Sequence, residues 1–261
     1  MSLPELYLSK PGVTFPNARV DNAETIKRVR EKFRGTDLEF APIASAIEHI
    51  FGLCKTRQRY LEPDFDARVA DYAVAAAKQC LEVNGVGLDD VDLVINGGIA
   101  RQYFEPATAM EIAAKLGLEK THAFDVTAAC VGHCEAIQTA AAYMALHPEY
   151  RTALVVTSEL SAQYLTYDIQ TVRELHMKSA GLTIGNAAAC VLLRRSISRS
   201  MPRCGQLRLD VSGHVIGEDL RFAGEHAVER QLRNYGGVDL LVCRDVAHHV
   251  GVHVADVQRG D

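Results

Sequence analysis

Two metal-binding signatures are missing from this sequence. It has neither a C-x-x-C pair nor an H-E-x-x-H stretch, so no metal site is expected. It lacks any apolar run near the roughly 20 residues that span a bilayer. Its first residues, Met1-Ser-Leu-Pro-Glu-Leu-Tyr7, lack the charged-then-apolar order of a secretion leader. Those two absences predict a cytoplasmic protein with no membrane partner. Positive charge is not in excess either. The 28 basic residues face 33 acidic ones, for a net charge of −5, which argues against nucleic-acid binding driven by overall charge. The seven cysteines are odd in number and irregularly scattered, as in a reducing compartment and unlike a disulfide framework.

What remains is a globular composition. The chain has 261 residues, 48% of them hydrophobic, enough for one large domain or two small ones. Residues 3–16 suggest a strand and a loop. Residues 21–34 read as a polar helix capped near Asp21 or Asn22. Residues 67–84 read as a second helix, with Val69, Tyr72, Ala73, Ala76, Cys80 and Leu81 on one face. Gly85 and Gly87 end it. Residues 92–96 form an apolar strand stopped by Gly97-Gly98, and Pro106 opens a helix that Gly117 closes. A strand over 122–127, a helix to about Leu146 and a strand over 154–157 follow. This alternation predicts an α/β fold: a mainly parallel or mixed sheet with helices on both faces. Residues 161–181 read as a polar loop or short helix, where His176 and Asp168 are tempting acid–base residues that nothing ties to a site.

One stretch organises the rest. Residues 123–127 alternate like a half-buried strand, and from Cys130 the spacing turns helical, with Val131, Cys134, Ile137, Gln138, Ala141 and Met144 three or four apart. Cys130 therefore sits where a strand feeds a long helix. A thiol there meets the positive end of the helix dipole, which favours the thiolate. Small neighbours, Ala128, Ala129 and Gly132, leave room for a substrate carbonyl. The alternative is a buried cysteine packed beneath a helix.

The stretch Asp125-Val-Thr-Ala-Ala-Cys130-Val-Gly132 resembles the nucleophile segment of the thiolase-like condensing enzymes, on the β-ketoacyl-acyl-carrier-protein synthase III branch. Three further segments fit that branch in order: Pro106-Ala-Thr-Ala109 with residues 112–118, then residues 154–159 with Ser161, then residues 185–193. In the last of these Asn186 stands where the family usually has Asp. The resemblance runs from about Asp21 to Leu193. It implies a thiolase-like fold, a Cys130 nucleophile, and acyl-CoA or acyl carrier protein as substrate with no cofactor. The implied activity is acyl transfer through an acyl-Cys intermediate for decarboxylative condensation in fatty-acid or polyketide-type biosynthesis. It also implies a dimer, with a second copy or with a related chain. Lys55, Arg57 and Arg59 lie where the family approaches coenzyme A, so Arg57 and Arg59 are expected to meet phosphates. A solvated basic loop is the other reading of the same cluster.

Residues 1–193 are thus expected to form a thiolase-like half, and residues 194–261 a truncated or divergent second half. The family's second half supplies a His and an Asn in His-Gln-Ala-Asn and Gly-Asn segments, and neither occurs in the 68 residues after Leu193. Lys178 is the last lysine, while five of ten histidines follow residue 213. A damaged reading frame, a short divergent half or a partner chain would each account for that shift. Residues 238–243 echo residues 91–95, which would put His248 or His249 near the family's His position. Cys243 lacks the surroundings of a degradative thiolase's second cysteine, and Cys204 has no evident role. A non-catalytic partner subunit is the alternative function.

Overall fold

The fold is that of a computed structural model, which describes residues 6–195, 205–209 and 215–216. Its main sheet has eight strands: β1 (Leu6–Leu8), β2 (Gly12–Thr14), β5 (Leu93–Asn96), β6 (His122–Asp125), β7 (Thr152–Glu159), β8 (Ala187–Arg194), β9 (Gly205–Leu209) and β10 (Val215–Ile216). Their order is β10-β9-β1-β8-β7-β5-β6, with β2 also on β8. A separate antiparallel pair joins β3 (Ala18–Asp21) to β4 (Gln58–Leu61).

The sheet is mixed. Among the described strands only β6, β5 and β7 run parallel, with Asn96 opposite Asp125 on one side and Val156 on the other. The pairs β7–β8, β1–β8, β2–β8, β1–β9 and β9–β10 are antiparallel. Because β9 pairs with β1, the sheet continues past the boundary expected at residue 193.

Helices cover both faces. On one side lie α3 (Val69–Asn84) and α4 (Thr108–Leu116), whose Ala73, Ala77, Cys80 and Ile112 pack on Val94, Leu154, Val156 and Leu192. On the other lies α5 (Gly132–Leu146), whose Ala136, Ala140 and Met144 pack on Leu93, Ile95, Ala153 and Val155. Successive residues of β5 thus serve opposite cores, which is why its sequence is continuously apolar. Each large side chain so buried contributes about 1.5–3 kcal/mol.

A third cluster gathers α1 (Asn22–Lys32), α2 (Asp37–Cys54) and α6 (Val172–Thr183) around Val29, Ile43, Ile47, Leu175 and Leu182. Asp21 caps α1 as expected, its carboxylate accepting from Glu24 N. A capping box between Thr36 and Glu39 starts α2, which runs through Pro42. The polar stretch of 161–181 resolves into a short turn, Ser161–Tyr164, and α6.

Candidate active site

The carboxyl ends of β5, β6 and β7 come together because the three strands are parallel neighbours. Such strand ends are where open α/β sheets hold reactive groups. Here β6 ends at Asp125, and a tight turn, Ala129–Val131, carries Cys130 into α5. Cys130 is a free, exposed thiol. The expected strand-to-helix placement is therefore observed, with a single 3-10 turn between strand and helix.

Backbone contact fixes that turn. Gly97, just past β5, lies against Gly132 at the head of α5. A Cβ on Gly132 would stand 2.2 Å from Gly97 O, and one on Gly97 would stand 2.6 Å from Gly132 O. Only glycine at both positions lets the helix approach the strand end so closely. Ala129, directly before the cysteine, has φ of +46°. That left-handed conformation costs a non-glycine residue about 1 kcal/mol or more and persists only where its surroundings enforce it.

Asp125 supplies the missing cap of α4. The helix has no capping side chain of its own. Asp125 accepts from Thr108 N at 2.9 Å and Ala109 N at 2.8 Å, and from Asn96 Nδ2 at 3.3 Å. The family motif's first residue thus ties β5, β6 and α4 together. An open hollow of about 690 Å3 lies beside it, lined by Asp125, Arg101, Glu105, Phe104 and Met110.

His133 sits three residues after the cysteine. Its Nδ1 lies 2.9 Å from Thr157 Oγ1 on β7. Burial pushes its pKa down to about 4, so the ring is neutral near pH 7. Sequence reading missed His133, and its one signal was its distance of three from Cys130. A different thiol, Cys80, is also perturbed: the thiol of Cys190 and then Ser9 bring it down to about 7 against the cost of burial. Cys80 is fully buried between α3 and the sheet.

The basic cluster divides. Lys55 and Arg57 are exposed, Lys55 closing α2 in a left-handed conformation. Arg59 requires a correction: it is 4% exposed and faces inward. Its Nη1 donates to Asp21 O at 3.0 Å and Thr25 Oγ1 at 2.5 Å, its Nη2 to Asn22 Oδ1 at 2.9 Å, and it stacks over Phe51 at 4.8 Å. It stitches β4 to the start of α1 and presents no surface to a coenzyme phosphate. Asp168 contacts Arg34 and Gln170, and His176 is exposed on α6, which packs on α2. Neither helix of that pair carries Cys130. Cys204, Cys243, His248 and His249 lie outside the described residues. Among those residues, no helix is long and apolar enough to cross a membrane.

Residues 124–213 match the family model of 3-oxoacyl-[acyl-carrier-protein] synthase III. A β-ketoacyl-[acyl-carrier-protein] synthase III of Clostridium perfringens is 30% identical over 127 residues, 49% of this chain and 38% of the relative. One from Helicobacter pylori is 31% identical over 166 residues, 62% and 45% of the two chains. An acyl-CoA:acyl-CoA alkyltransferase of Xanthomonas campestris is 31% identical over 141 residues, 51% and 41%. The chain thus spans about two fifths of the length of the curated relatives it matches. The crystal structure of acetamide-bound Xanthomonas campestris OleA superposes with a TM-score of 0.65 at 24% identity, over 78% of this chain and 62% of that one. Fold, motif order and these matches together relate the chain to the β-ketoacyl-acyl-carrier-protein synthase III branch of the thiolase-like condensing enzymes.

Proposed function

We propose that this chain carries the nucleophile half of a condensing acyltransferase. The observation that supports this most directly is the exposed Cys130 on a strained turn at the head of α5, at the meeting point of three parallel strand ends. The Cys130 thiolate attacks the carbonyl carbon of an acyl thioester, the carbon–sulfur bond to the carrier breaks, and the carrier leaves as its thiol. Backbone N–H groups of the nucleophile turn stabilise the tetrahedral oxyanion. A malonyl-type extender then loses carbon dioxide, and its carbanion attacks the acyl carbon, breaking that carbon's bond to sulfur and releasing the Cys130 thiolate. Acyl-CoA or an acyl carrier protein is the donor, with Arg57 and Lys55 as the exposed cations available to its phosphates.

Partnering enters through β6. It ends the main sheet, and among the described residues no strand pairs with its outer side. An edge strand of this kind is a template for a second chain, and a dimer through it belongs to this proposal. The second reading is a partner subunit working beside a longer homologue, for which the same edge strand would serve.

The test is mass spectrometry after incubation with acyl-CoA. A covalent acyl adduct on wild type that vanishes in Cys130→Ala supports the nucleophile. No adduct, or one that survives the substitution, defeats it. Co-purification with a full-length homologue, without any adduct, selects the partner-subunit reading.

A further inference from the structure

The turn before Cys130 contains a left-handed alanine, and something must hold it there. A chain of polar contacts crosses the ends of three strands toward that turn. It begins on β7, where the Glu159 carboxylate accepts from Ile99 N at 2.6 Å and Ala100 N at 3.2 Å. Those bonds fix the loop that follows β5. The next residue of the loop, Arg101, donates through Nη2 to Thr127 Oγ1 at 2.8 Å and through Nε to Ile99 O at 3.3 Å. Thr127 lies two residues before Ala129 and three before Cys130. From the other side Val126 N donates to Asn96 O at 2.9 Å, so the backbone entering the turn is already pinned. Arg101 reaches the first side chain beyond that pin.

A guanidinium bonded both to its own loop and to a hydroxyl on the nucleophile's turn is a clamp. Charge-assisted bonds of this length are stronger than neutral ones and more directional. We propose that Arg101, on the loop that Glu159 holds through Ile99 N and Ala100 N, is a positioning residue for Cys130, acting through Thr127 to keep the turn in its left-handed form. The inference rests on the reading of Cys130 as the nucleophile. It adds two residues, Arg101 and Glu159, that neither the nucleophile motif nor its spacing contains.

The test compares Arg101→Met, Arg101→Lys, Thr127→Val and the double variant Arg101→Met/Thr127→Val. Cys130 acylation by acyl-CoA and its alkylation by iodoacetamide are followed by peptide mass spectrometry, with alkylation of half-buried Cys54 as the internal reference. Losing one charge-assisted bond is expected to slow acylation about tenfold in each single variant. The double is no slower than the slower single, because both remove the same contact. Arg101→Lys recovers part of the rate, while Cys54 alkylation and the melting temperature stay at wild-type values. Unchanged rates, effects that multiply in the double, or equal slowing at Cys54 overturn the clamp. Should wild type show no acylation at all, the nucleophile reading fails separately. The clamp is then decided on alkylation, where the Cys130-to-Cys54 rate ratio must shift in both singles and no further in the double.

Discussion

Acid should weaken this fold through His133 before it titrates most of the carboxylates. The ring is buried beside Thr157, with Nδ1 2.9 Å from the hydroxyl, and burial brings its pKa from 6.5 to about 4. Above pH 6.5 the imidazole is neutral in the folded and unfolded chains, and it contributes no pH dependence. Between pH 6.5 and 4 the unfolded chain takes up a proton that the folded chain refuses, so stability falls as pH falls. Below about pH 4 both forms are protonated and the loss is complete. A tenfold difference in proton affinity is about 1.4 kcal/mol, which sets a ceiling of about 3 kcal/mol. The residue keeps some contact with solvent, so about 2 kcal/mol is the working figure. Urea unfolding at pH 7.5, 6, 5 and 4.5 measures it, with His133→Gln as the variant that cannot titrate. Carboxylates such as Glu39, Glu149 and Glu174, all held below their usual range by backbone donors first of all, take up protons alike in both proteins. They cancel in the difference. The wild type should lose about 2 kcal/mol more than the variant across that range, and parallel curves would refute the assignment.

Four other substitutions separate positions that look alike in the sequence. Gly132→Ala places a methyl 2.2 Å from Gly97 O; it should destabilise by about 1–3 kcal/mol and lower Cys130 acylation in the mass-spectrometric assay. Arg59→Ala strips donors from Asp21 O and Thr25 Oγ1 in the interior and should cost about 3 kcal/mol or more in chemical denaturation. Arg57→Ala, on the surface, should leave stability within about 0.5 kcal/mol and raise the KM for acyl-CoA. Asn186→Asp sets a carboxylate against Glu159 O in place of the amide that donates to it at 3.4 Å, while Glu62 N still donates at 2.8 Å; a loss of about 1–3 kcal/mol in thermal unfolding is expected.

Asn186 also explains a departure from the family pattern. The side chain at this position bridges β8, the end of β7 and the residue after β4, using a donor and an acceptor at once. An amide can do both, whereas an ionised carboxylate can only accept. The change from Asp to Asn therefore fits the two partners it meets here. Gly185, its neighbour, lies against the backbone of Tyr60, where a Cβ would come within 2.9 Å of the carbonyl oxygen. The glycine and the asparagine together dock β4 on the sheet's end.

The elements nearest Cys130 were legible because their evidence is local. The periodicity changes from two to nearly four at the cysteine itself, and glycines mark the ends of α3, α4 and β5. α2 was harder to see, since Pro42 lies inside it and its capping box precedes a stretch of mixed polarity. The orientation of Arg59 could not be read at all. Its partners lie 34 to 39 residues earlier in the chain, and they become neighbours only because Val20 pairs with Arg59 across β3 and β4. A buried arginine is also rare enough that a basic cluster reads as surface.

The same reasoning explains why Cys130 was visible and the side chains around its turn were not. Spacing finds residues that share one element, and Cys130, Val131 and Cys134 do. Arg101 follows β5 and Thr127 follows β6, 26 residues apart, while His133 is in α5 and Thr157 on β7, 24 apart. Each pair meets only once β6, β5 and β7 are known to be parallel and adjacent, since that topology brings their carboxyl ends to one edge. A motif drawn along the chain can single out one cysteine, but the residues that meet around its turn are set by strand order, which the local pattern does not encode.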